Sequence, residues 1–79
     1  SAAKQKYLDM MAEAQALPTD NYSADSYAAF QYYLNQYGFA LMGLEYGFEY
    51  SDYDYNKFCV GIEYAKSFLN TDKNHQYIG

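Results

Sequence analysis

A chain of 79 residues makes one domain at most, and at this length only about 60–65% of the unfolded surface is buried, so the core is small. That excludes a two-domain enzyme and a barrel or dinucleotide-binding fold, while the single cysteine, Cys59, excludes a disulfide scaffold and a multi-cysteine zinc site. The net charge is −5, and no lysine falls between Lys6 and Lys57, where eight acids do; direct nucleic-acid binding and attraction to an anionic membrane surface are excluded with it.

The first predicted helix runs from Ala2 to Leu17. It is rich in Ala, Lys, Gln, Glu and Met, which are good helix formers. Tyr7, Met10, Ala14 and Leu17 recur on one face with Met11 beside them, and Pro18 stops the helix. The second helix starts after Ser23, an N-cap residue, with Asp25 in its first turn. Tyr27, Phe30, Leu34, Tyr37, Leu41 and Leu44 form its inward seam, and Gly47 is expected near its end. The third begins at Ser51, which forms a capping-box-like pair with Asp54. Tyr55, Phe58, Ile62, Ala65 and Leu69 face inward, and Asn70 is expected just past its end. Residues 71–79 form a polar tail, frayed unless Tyr77 and Ile78 dock back. Three amphipathic helices with short links predict an all-α, antiparallel three-helix bundle over residues 1–70. A strand within 46–55 is the weak alternative, because it has no partner strand and contains a helix start. No apolar run is long enough to span a bilayer, and no signal peptide is expected.

The stretch from Tyr22 to Phe30, with Leu34 following, resembles the start of the second helix of the FIVAR module, which shows a Tyr-Thr/Ser-x-x-Ser-Trp-x-x-Phe/Leu-x-x-x-Leu pattern. Glu13 to Leu17 and Ser51 to Leu69 are similar to the flanking helices of that family. The resemblance implies a non-catalytic three-helix module, of the kind found as binding or spacer units in surface and secreted proteins of Gram-positive bacteria. It therefore implies an extracellular or cell-surface setting and no catalytic or metal residues. Tyr27 stands where the family usually has Trp, and aromatics and glycines stand on outer faces that are usually Ala, Lys, Glu and Gln. Such a contrast is what diversification of outward positions produces, in an engineered helical binder or a natural hypervariable module.

Twelve tyrosines and five phenylalanines are more than three helices need for one seam each. On the second helix the outward rows hold Tyr32, Phe39, Met42, Tyr46 and Tyr50; on the third, Tyr53, Lys57, Val60 and Tyr64. An amphipathic surface helix should be polar there. Exposed aromatic patches mark interaction sites, and tyrosine gives rigid contact area at low entropic cost. Partner binding is therefore expected at Tyr32, Phe39, Met42, Tyr46, Tyr50, Tyr53, Val60 and Tyr64, on a protein partner with a basic rim to match the acids. A glycan stacking on the same rings is the subordinate version. Self-association through them, a structural spacer, and an acidic mimic of nucleic acid that inhibits a DNA- or RNA-binding protein are the other readings.

No catalytic or metal constellation emerges. His75 is the lone histidine, expected to be exposed in the tail, so a triad or histidine metal site has no second member. Cys59 is expected to be a buried, inert thiol with no base near it. A calcium loop counted from Asp52 fails, since Lys57 occupies the position that needs glycine. Asp52 and Asp54 are then dipole-stabilising acids, and Glu45 with Glu49, four residues apart, would repel unless a basic group lies near. No enzyme activity and no cofactor are expected.

Overall fold

The computed structural model describes residues 1–77. It contains α1 (Ala2–Gln15), a short 3-10 turn (Thr19–Asn21), α2 (Ala24–Glu45) and α3 (Asp52–Lys66), and no strand among the described residues. The bundle is all-α with three helices, as the seam spacing predicts. Each helix start is fixed by a serine. Ser1, Ser23 and Ser51 accept hydrogen bonds from the backbone N–H groups of Lys4, Ser26 and Asp54, satisfying donors that the first turn leaves unpaired.

The helix ends depart from expectation for local reasons. α1 stops at Gln15 rather than Leu17. Leu17 precedes Pro18, which disfavours the α conformation, and its N–H turns to the Ala14 carbonyl in a 3-10 bond. α2 ends where Gly47 takes φ +88°. Phe48 N–H then bonds the Gly43 carbonyl and Gly47 N–H the Leu44 carbonyl, a Schellman cap. α3 ends at Lys66, short of Asn70, and no residue other than glycine has positive φ among the described residues. Asn70 is recruited sideways instead. Its carbonyl accepts from Ser23 N–H (2.9 Å) and its N–H donates to Ser26 Oγ (3.1 Å), while Ser26 Oγ donates to the Ser23 carbonyl (3.0 Å). This clasp of buried serines ties the end of α3 to the start of α2.

The core is built from Tyr7, Met11 and Ala14 of α1, Phe30, Leu34 and Ala40 of α2, and Tyr55, Cys59, Ile62 and Ala65 of α3. Tyr7 is fully buried and its hydroxyl donates to the Tyr37 carbonyl at 2.6 Å. Leu41, Leu44, Tyr27, Tyr37, Phe58 and Leu69 are half-buried against this core. α3 is the central element, packed along both α1 and α2, while α1 and α2 touch less. The tail is held by local contacts as far as Tyr77. Asn70 and Asp72 carboxamide and carboxylate oxygens accept from Asp72 and Asn74 N–H groups, and the Tyr77 ring packs edge-on against Phe68. Ile78 lies outside the described residues.

Candidate functional site

The seam between α2 and α3 opens outward as a groove of about 670 Å³. Phe39 and Gln36 of α2 form one wall, and Tyr53, Lys57, Val60 and Tyr64 of α3 the other. The floor follows from one glycine. A Cβ on Gly61 would run into the Tyr37 ring, so the absent side chain lets that ring lie against the α3 backbone. Phe58 completes the floor.

The rings around the groove hold one another in place. At one end Tyr33 meets Tyr32 edge-on (5.1 Å between centroids), Tyr64 edge-on (5.2 Å) and Phe68 face-on (4.7 Å). At the other, Phe39 is edge-on to Phe58 (5.4 Å) and Tyr50 (6.4 Å), and both reach the buried ring of Tyr55. Edge-to-face pairs of this kind contribute about 0.5–1.5 kcal/mol each beyond area burial and restrict the rotamers of the rings they join. Tyr64 and Phe39 of the exposed wall are therefore ordered before any partner arrives. Its polar groups are the hydroxyls of its lining tyrosines, Gln36, Asn56 and Lys57, whose ammonium sits 5.4 Å from the Tyr53 ring centroid.

Of the eight residues singled out by the outward rows, Tyr32, Phe39, Met42, Tyr46, Tyr53, Val60 and Tyr64 are exposed, with Tyr53 and Val60 both at 71%. Phe39, Tyr53, Val60 and Tyr64 share the groove, and Tyr32 joins it through Tyr33. Met42 lies on the opposite flank of α2, in a separate cleft of about 480 Å³ lined with Met11, Leu34, Asn35 and Gly38. Tyr46 caps the helix end beyond the groove, at 77% exposure. Tyr50 is a correction to the outward-row reading. α2 has already ended at Glu45, so the heptad does not extend to it, and its ring is half-buried over Gly43 and against Phe58. Tyr33, Tyr37 and Gly61 were not singled out as parts of the site, and Phe48 is exposed on the connecting loop. The first three became visible only once α2 and α3 were in register; Phe48 has no periodic signal to betray it.

Among the described residues no three His, Cys, Asp or Glu side chains group closely enough to hold a metal. Burial raises the Cys59 thiol above its ordinary value, with Lys6 opposing and Glu63 adding, so it stays protonated and weakly nucleophilic. His75 departs from the exposed position expected of it. It is half-buried, with its ring edge-on to Tyr77 at 4.5 Å. Glu45 and Glu49 do not form a helical pair, because α2 ends between them. Asp52 accepts a hydrogen bond from Ser1 Oγ at 2.7 Å, and Lys66–Glu63, at 3.9 Å, is the one ion pair among the described residues. No helix among these residues is long and apolar enough to cross a membrane.

No family model, no curated protein and no solved structure matches this chain.

Proposed function

We propose that this chain is a non-catalytic protein-binding module that grips its partner with the α2–α3 groove. The observation that carries this reading is an exposed aromatic wall in which Tyr64 and Phe39 are pre-set by edge-on contacts to the half-buried rings of Tyr33 and Phe58. Apolar patches of this kind serve recognition, and fixing the rings in advance lowers the entropic cost of association. The three-helix order supports carrying forward the FIVAR-type resemblance, with the outward positions diversified for binding and an extracellular or cell-surface setting.

The test compares two variants as baits alongside the parent chain. Tyr53→Ser/Val60→Ser/Tyr64→Ser removes the groove wall, and Met42→Ser/Tyr46→Ser removes exposed apolar residues outside it. Circular dichroism should show all three folded at the assay temperature, with the groove variant less stable by about 1–3 kcal/mol because Tyr64 gives up edge-on contacts to Tyr33 and Phe68. A partner retained by the parent and the Met42/Tyr46 variant, and weakened about 30-fold or more by the groove variant, is the expected result. Capture that ignores the groove variant, or a chain whose mass doubles with concentration and captures nothing, would refute the reading.

A further inference from the structure

The longer wall of the groove is a regular row: on α3, Tyr53, Lys57, Val60 and Tyr64 follow a 4-3-4 pattern. From α2, Gln36, Tyr37 and Phe39 reach the groove. The α3 wall is thus a heptad seam turned outward, and α2 closes the other side of the same trough. A seam repeating at this period matches the side-chain rows of another helix, whereas an extended strand presents side chains at every second residue.

Charge then narrows the occupant. Lys57 is the only cation between Lys6 and Lys66, and it stands within the aromatic wall rather than on its edge. Among the described residues it has no acidic partner, only the Tyr53 face. A single charged residue within an apolar seam sets register and partner choice in helix pairing. On α3, Asp52, Asn56 and Glu63 recur at helical spacing, so they share one face beside the Tyr53–Tyr64 seam, and Asp52 and Glu63 are exposed.

Resting on the binding-face reading above, we infer that the groove takes an amphipathic helix of a partner protein, with apolar residues at i, i+3/i+4 and i+7, one carboxylate set against Lys57, and basic residues toward Asp52 and Glu63. In a trough lined by rings, that ion pair is screened less than one in open water, so a mismatch there costs binding as well as register.

The experiment mixes two displayed peptide libraries and selects on the intact chain. One library holds capped helical 15-mers randomised on one face; the other holds 12-mers kept extended by fixed prolines. Winners are then measured against Tyr53→Ser/Val60→Ser and against Lys57→Glu, both checked for unchanged helicity. Helical winners are expected, with Asp or Glu at a constant register. They should weaken more than tenfold on either variant, and on Lys57→Glu they should recover when that peptide acid is exchanged for Lys. Proline-library winners, or helical winners with no charge-swap recovery, that still weaken on Tyr53→Ser/Val60→Ser would overturn this inference and leave the binding face standing. Winners indifferent to both variants, or none from either library, would overturn both.

Discussion

The two sides of α2 are built differently. Toward α3 its residues are aromatic, and the seam is filled by Tyr33, Tyr37, Phe58 and Phe68, stacked and edge-on, with Gly61 making room for one ring. Toward α1 the seam is looser. Its cleft is lined by Gln15, Gln31, Asn35 and Gly38 around Met11 and Leu34. The cause is the sequence of α1, which brings one aromatic, Tyr7, where α2 and α3 bring many. Rings numerous enough to fill a seam also spill beyond it, so the side that packs more fully inside is also the side that offers a surface outside.

The largest expected effect tests whether Tyr7 alone joins the two seams. Tyr7→Ala removes a fully buried ring that meets Tyr55 and Phe58 and a hydroxyl that reaches α2. It should cost about 3–5 kcal/mol in urea unfolding, enough to unfold much of a domain this small. A milder version uses pH. Burial, with Tyr50 adding and Leu41 N–H opposing, pushes the Tyr7 hydroxyl up to about 12 from the ordinary 10. The folded chain then keeps a proton that the unfolded chain releases, so stability falls as pH rises from about 10 to about 12. In Tyr7→Phe that part of the pH slope should be missing.

Two glycine substitutions then set the seams against each other. Gly61→Ala should destabilise by about 1–2 kcal/mol, because overpacking against Tyr37 outweighs the gain in helix propensity. The groove floor should shift with it, visible as changed Tyr37 ring resonances. At Gly38 a new Cβ meets only the Met11 methyl, at 3.3 Å. That flexible group can yield, so Gly38→Ala should stabilise by up to about 1 kcal/mol in thermal unfolding. Equal responses at the two positions would erase the distinction between the seams.

The fold was legible because its signals were local: serine caps at Ser23 and Ser51, a proline, a glycine at the end of α2 and an apolar seam on every helix. Ala40 escaped because the expected seam was a single row; with Tyr33, Tyr37 and Leu44 it completes a second inward row, spaced 4-3-4, on the side that faces α3. Most of the outward aromatics were legible one by one. Their meeting in one groove was not, since it depends on how the 46–51 link sets α3 beside α2. Asn70 was read as a helix stop because its type suits one; only a neighbour distant in sequence, Ser26, could show its other use.

The clasp at Asn70 also fixes where force would enter. Ser1 sits beside Asp52 at one end of a body 42 Å long, and Asn70 sits beside Ser23 at the other. A chain under tension therefore pulls α1 and α3 past each other along their length. Their shared side chains are loaded together rather than peeled one at a time, and the groove between α2 and α3 lies alongside the line of pull.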